Sequence, residues 1–302
     1  MLTVLTWLWS QPGGRTHYTA AHVNIWAAMV TRHLSIPHRL ACVTDMPDGI
    51  DPRVAIIAPP GDFEDVTLPT WTDGKPQCLR RISLFRPDAA EIFGERLDLD
   101  CAIGASLDPL FDVDSDFKMY RGTSLSRPYN GSMLIMDAGA RPHVYGLFTP
   151  ERAIEAGQRY IGSDQAWISH VLGPDEATWG PDDGVAWYGS ERGCAALRLM
   201  FFPGYPKPWN LVELDEHPFV VEHYHGSRRG RCLILGYGEH VWDDFERATG
   251  RFDAVIASPE AAEHWPGPVL FIAANDAQAL RVARMHGFEE TVFCGRSERL
   301  AA

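Results

Sequence analysis

The sequence predicts an α/β fold, with one large domain over residues 1–222 and a small Rossmann-like βαβ unit over residues 228–302. Three observations lead there. Short apolar runs alternate with segments of helical periodicity through most of the chain. A hydrophobic share of 45% beside a charged share of 22% is the balance of an ordinary globular protein with a sizeable core. From Arg228 onward four short apolar runs, 231–238, 252–258, 268–274 and 290–294, recur with helical stretches between them.

Taken in order, residues 2–9 read as a strand, and it enters a loop whose Pro12-Gly13-Gly14 calls for unusual backbone angles. Ala20, Val23, Ala27 and Val30 then recur at helical spacing, which predicts a helix over 19–34 with Thr19 as its cap. Strands follow at 38–44 and 54–58. After a segment rich in Pro and Gly (59–76), a helix over 77–85 carries Arg80 and Arg81. Residues 96–104, RLDLDCAIG, read as one strand, and residues 129–136, YNGSMLIM, as another led by a polar turn. A helix is expected over 151–161, and another within 162–172, where Asp164 stands at the helix start and can cap it. At 199–210 an apolar strand breaks into a loop in which Pro206 and Pro208 hold Lys207 between them. Residues 223–231, HYHGSRRGR, read as the linker to the C-terminal unit.

Net charge is −13 and the pI about 5.3, which weighs against broad electrostatic binding to nucleic acid or anionic membrane. No apolar run approaches the roughly 18 residues of a membrane span. The apolar start lacks a basic leader and a small-residue cleavage site, so it reads as the first strand and not a signal peptide. The six cysteines, at 42, 78, 101, 194, 232 and 294, have no metal-binding spacing and read as reduced core thiols of a cytoplasmic protein. Gly236 and Gly238 begin a dinucleotide fingerprint that Val241 breaks. Asp112, Asp114 and Asp116 begin a calcium loop, but Phe117 stands where its glycine is required.

The acidic strand carries the chemistry. A period of two sends Leu97, Leu99, Cys101 and Ile103 to one face and Asp98 and Asp100 to the other. Two carboxylates about 6–7 Å apart on one face are costly to bury without a cation between them. A divalent ion bridging to a substrate diphosphate answers that need; a solvated strand end answers it too. The Lys207 loop is likewise open to a plain reading, as a proline-rich turn or a polyproline ligand.

Four stretches in this order resemble the GT-A nucleotide-sugar glycosyltransferases, above all glycosyltransferase family 8 and related phage and proteobacterial proteins. RLDLDCAIGASLDPLF (96–111) resembles their D-x-D strand and the segment after it, YNGSMLIM their Asn-Ser-Gly strand, GSDQAWIS (162–169) their Asp-Gln helix start, and FPGYPKPW (202–209) their C-terminal loop. The resemblance spans roughly residues 1–212 and implies a GT-A-like mixed sheet. It implies that Asp98 and Asp100 hold Mn²⁺ or Mg²⁺ against the donor's diphosphate, joined there by Lys207 and by Arg81. Asn130, Ser132, Asp164 and Gln165 would lie along the sugar, with Asp164, Gln165 and Asn130 catalytic. Thr6, Trp7 and Tyr18 would meet the nucleotide, and Trp209 would stand beside Lys207. Phe201 departs from the pattern, because family members carry a metal-binding histidine there; the metal site would then be weaker, would borrow His217, His223 or His225, or would be absent. The expected activity is transfer of a sugar, retaining its configuration, from a UDP-linked donor to an acceptor that the sequence does not name. The rival readings are a transferase acting on modified DNA bases, kept open by the basic linker, and a non-catalytic nucleotide-sugar-binding module.

Overall fold

The computed structural model describes residues 2–11, 16–71, 77–89, 95–97, 100–112, 114–190, 194, 196–211, 217–225, 233–237, 269–273, 290–293 and 296–299, with backbone alone at 95–97, at 225 and from 233 onward. The chain divides into two compact units. The first comprises residues 1–99 and 105–201, the second residues 100–104 and 202–302.

The first unit is a layered α/β structure. Its strands are β1 (Leu2–Leu8), β2 (His38–Thr44), β3 (Val54–Ile57), β4 (Glu95–Leu97), β6 (Phe117–Ser124), β7 (Arg127–Met136) and β8 (Ala177–Trp179), with β5 (Cys101–Ile103) belonging to the second unit. They form one sheet in the order β3-β2-β1-β4-β7-β6-β8. Strands β3, β2, β1 and β4 run parallel, β7 runs antiparallel to both β4 and β6, and β6 and β8 are parallel. The sheet is therefore mixed. β1 lies inside it and is buried along six of its seven residues, which is why its sequence, LTVLTWL, carries no charge and no period-two alternation. At the outer edge, β3 leaves Ile56 46% exposed.

Helix α1 (Ala20–His33) follows β1, and its capping is reciprocal in an unexpected way: the Thr19 N–H donates to His22 Nδ1 at 3.0 Å. After β5 come the short helices α2 (Asp108–Phe111) and α3 (His143–Gly146), then α4 (Pro150–Arg159) and α5 (Asp164–Leu172). Thr149 caps α4 by accepting the Arg152 N–H at 3.3 Å, with Pro150 in the first turn, where a missing N–H costs nothing. α5 ends at Gly173, whose φ of 71° suits glycine. Its Trp167 is fully buried; the indole N–H donates to the Val144 carbonyl at 2.8 Å, and the ring meets Phe148 edge-on with centroids 5.3 Å apart. Strands β9 (Val185–Trp187) and β10 (Leu199–Phe201) pair in parallel.

Within the second unit, α6 (Pro218–His225) precedes a four-stranded sheet of β11 (Leu233–Tyr237), β12 (Val269–Ala273), β13 (Glu290–Phe293) and β14 (Arg296–Arg299), in that order. The first three are parallel, as the βαβ reading requires, and β14 closes antiparallel on β13. The expected strand at 252–258 lies outside the described residues. Among the described residues, no helix is long and apolar enough to cross a membrane.

Several local expectations need correction. Residues 96–104 are not one strand: β4 stops at Leu97, Asp100 is a bend, and β5 begins at Cys101. Alternation fails as well, because Cys101, Ala102 and Ile103 are all 0% exposed. The helix expected over 77–85 is a 3-10 helix, Leu79–Phe85. The Ser83 hydroxyl donates to the Arg80 carbonyl at 2.6 Å, and six of its seven residues are buried, so no polar stripe exists to mark it. Residues 223–225, read as linker, are the last turn of α6. Of the cysteines, Cys42 and Cys101 are core residues as expected, while Cys78 and Cys194 are only partly buried.

Two outcomes follow from the core. Trp167→Ala should lower unfolding free energy by about 3–5 kcal/mol, the usual cost of emptying a large aromatic site, with Trp167→Phe costing less; denaturant midpoints measure both. Burial pushes the Cys42 thiol up to about 12. At pH 8 only about one Cys42 in ten thousand would then be thiolate. Peptide mapping after a brief iodoacetamide pulse on the folded chain should find Cys42 unmodified, and labelling it should require denaturant.

Candidate functional site

In the first unit the relevant side chains converge at the start of α5. Ser163, 3% exposed, accepts the Cys78 N–H on its Oγ at 3.0 Å and so ties the helix start to the approach of the 3-10 helix. Asp164, 5% exposed, receives the Gln165 N–H on Oδ1 at 2.9 Å, and its Oδ2 faces Arg81 Nη1 at 3.8 Å. That separation is charge pairing without a hydrogen bond. Its place in the first turn of α5 also sets the carboxylate against the positive end of the helix.

Gln165 is held at both ends of its amide. Oε1 accepts the Gly131 N–H at 3.2 Å and Nε2 donates to the Ile161 carbonyl at 2.9 Å. Gly162, at φ 126°, makes the room: a Cβ there would stand 2.4 Å from Gln165 Cγ. The first of these bonds joins α5 to the middle of β7, where Asn130 and Ser132 alternate onto one half-buried face while Tyr129, Gly131 and Met133 are buried. Asn130 Oδ1 accepts the Ser132 N–H at 2.9 Å and is thereby oriented.

Arg81 also lies 5.3 Å from the Trp9 ring centroid, with Arg80 at 5.8 Å, and Trp7 meets Trp9 edge-on at 5.7 Å. Arg80 is buried and paired with Glu64 at 2.7 Å. Trp9 and Ser163 are contributions that the sequence reading missed. Ser163 sits beside the Asp-Gln pair it supports, so the motif itself was the available signal; nothing in the order of residues marks Trp9. Thr6 and Trp7 are both buried in β1, and Tyr18 is half-buried with its ring 5.8 Å from that of His22. Of the expected residues in this unit, Arg81, Asn130, Asp164 and Gln165 are brought together, with Ser132 bonded to Asn130.

In the second unit the centre is Lys207, 8% exposed. Its Nζ donates to Asp100 Oδ2 and, at 2.8 Å, to the Phe202 carbonyl. The segment carrying it is fixed from several sides. The Lys207 N–H donates to Asn210 Oδ1 at 2.9 Å, and the Phe202 N–H donates to the Asp100 carbonyl at 2.9 Å. Trp209 is buried against Tyr224 with ring centroids 5.8 Å apart. The Tyr224 hydroxyl donates to the Cys101 carbonyl at 2.7 Å, and burial raises its pKa well above the usual phenol value. His223 Nε2 lies 2.7 Å from the Ile103 carbonyl, a position that requires it to be the protonated donor nitrogen. α6 is thus bolted to β5 by two side-chain bonds.

The divalent ion that the resemblance implies needs open carboxylate oxygens. Asp98 and the side chain of His225 lie outside the described residues, Asp100 is paired with Lys207, and His223 commits a ring nitrogen to a carbonyl. Among the described residues no group of three or more His, Cys, Asp or Glu could hold a metal. The described residues do not fit the ion as they stand.

No family model matches the chain, and no curated protein matches it. Solved structures to which it is similar include glycosyltransferases. A galactosyltransferase, LgtC, in complex with donor and acceptor sugar analogs is 12% identical with a TM-score of 0.46, over 69% of this chain and 89% of that one. The apo form of glycosyltransferase GlyE from Streptococcus pneumoniae TIGR4 is 11% identical with a TM-score of 0.47, over 100% of this chain and 93% of that one. Overlaps of this size leave the functional reading to the residues themselves.

Proposed function

We propose that the chain is a cytoplasmic glycosyltransferase that moves a sugar from a UDP-linked donor to an acceptor. One observation supports this above the rest. Arg81, the Asn130–Ser132 face and the Asp164-Gln165 helix start, which the resemblance picks out from three distant stretches of sequence, are linked by the Gly131–Gln165 hydrogen bond and the Arg81–Asp164 ion pair. Asp164 is buried and Arg81, Asn130, Ser132 and Gln165 are half-buried, so these polar groups are kept at a cost in desolvation that a purely apolar packing would not carry.

Transfer breaks the bond between the sugar's anomeric carbon and the diphosphate. Positive charge grows on the carbon and negative charge on the departing oxygen, and groups already aimed at those charges lower the barrier. In this reading the Asp164 carboxylate stabilises the carbon side, while Gln165 and Asn130 orient the sugar through their amides. Arg81 offers a planar fork to phosphate or sugar hydroxyls, with Ser132 beside it. The resemblance further assigns Lys207 and Trp209 to donor binding, with Lys207 on the phosphates, and Thr6, Trp7 and Tyr18 to the nucleotide.

The direct test is release of UDP from UDP-sugars by the full chain, alongside a thermal-shift screen of the same donors. Turnover supports the transferase, a melting shift without turnover marks a binding module, and neither response in any donor sinks both. DNA retention that falls with salt would instead indicate an acceptor of modified bases. Asp164→Asn, which keeps the shape and removes the charge, should lower turnover by about a hundredfold or more with the fold intact. Arg81→Lys should raise KM for donor by about tenfold, since an ammonium keeps the charge and loses both the fork and the contact with Trp9.

A further inference from the structure

The chemistry around Asp100 runs against a divalent ion at that carboxylate. Its partner is an ammonium on a side chain only 10% exposed, and the ammonium is held a second time by the Phe202 carbonyl at 2.8 Å. The backbone behind it is fixed by the Asn210 bond at 2.9 Å and by prolines on either side, so Lys207 cannot retreat as an exposed lysine would. Placing a doubly charged ion on Asp100 would set it a few ångströms from a cation that is screened poorly by water. Phe201, which supplies no ligand atom from its side chain, stands where the resemblance expects a histidine, and it is buried at 2% exposure.

We propose that the Lys207 ammonium is the resident cation of Asp100, so that this carboxylate excludes divalent ions and the charge of a diphosphate brought there is met by the lysine. The first half stands on the ion pair alone; the second rests on the nucleotide-sugar reading above. Asp100 then serves as a positioning residue, holding the ammonium in place. This differs from a site in which carboxylate and lysine act side by side on metal and phosphate. Here carboxylate and metal cannot meet until the lysine is removed.

Titration of MnCl₂ into the full chain, with free Mn²⁺ followed by its electron paramagnetic resonance signal, decides the first half without any nucleotide. The wild-type protein should hold no Mn²⁺ that Asp100→Asn releases. Lys207→Met, which keeps the length of the stem and deletes the charge, should tighten Mn²⁺ binding by at least about tenfold, and adding Asp100→Asn should abolish the gain. Lys207→Gln gives the same comparison if the methionine variant does not fold. Wild-type Mn²⁺ binding that is as tight as in the lysine variants and is lost in Asp100→Asn overturns the proposal. For the second half, the melting shift given by UDP should be the same in EDTA and in Mn²⁺ for the wild type and should shrink in Lys207→Met; a shift that appears only with Mn²⁺ refutes it. A wild-type chain stabilised by UDP in neither condition counts against the nucleotide-sugar reading and overturns the second half with it, while the Mn²⁺ titration still settles the first.

Discussion

A charge taken out of water has to be met by an opposite charge or by hydrogen bonds, and that requirement shapes the functional half of this protein more than any other. Arg80, Asp164 and Lys207 are all less than a tenth exposed. Each has an answering group: Glu64 for the first, Arg81 for the second, Asp100 for the third. The pairs fix local backbone as well as charge. Asp164 can sit at the head of α5 because Arg81 arrives from the 3-10 helix, and the Lys207 loop closes on β5 because the lysine needs Asp100. Breaking either pair would leave its partner buried and uncompensated, which costs more than the pair itself contributes.

Much of the architecture was legible in the sequence because burial on both faces writes a plain signal. β1, buried along six of its residues, and β2, buried along its last five, carry no charge within those spans, and the sequences of β11 and β12 are as free of it. What escaped reading is where that signal is mixed. β6, FKMYRGTS, has alternating faces of unequal polarity, and β8 and β9 are three residues each, too short for periodicity to speak. The 96–104 stretch failed for a different reason. Its alternation was real in composition, yet Asp is a poor strand residue, and at Asp100 the chain bends so that the carboxylate can meet Lys207.

The site divides the same way. Asp164, Gln165, Asn130, Arg81 and Lys207 could be picked out because the resemblance to the nucleotide-sugar glycosyltransferases singles out their positions. Partnership could not be read, since a hydrogen bond between Gly131 and Gln165 spans thirty-four positions and one between Lys207 and Asp100 spans more than a hundred. The stack of Trp9 beneath two guanidinium groups has no pattern at all in one dimension.

The edges of the large sheet carry a consequence for behaviour in concentrated solution. An open strand edge offers unpaired N–H and C=O groups on which another chain can build. Here β3 is four residues long and is followed, after Ala58, by Pro59 and Pro60, neither of which has an N–H to give; β8 at the opposite edge is three residues long. Each edge therefore presents a docking ladder too brief to recruit a neighbour, even though Ile56 is bare enough to attract one. A net charge of −13 adds to this, because like-charged copies repel one another before any edge can meet.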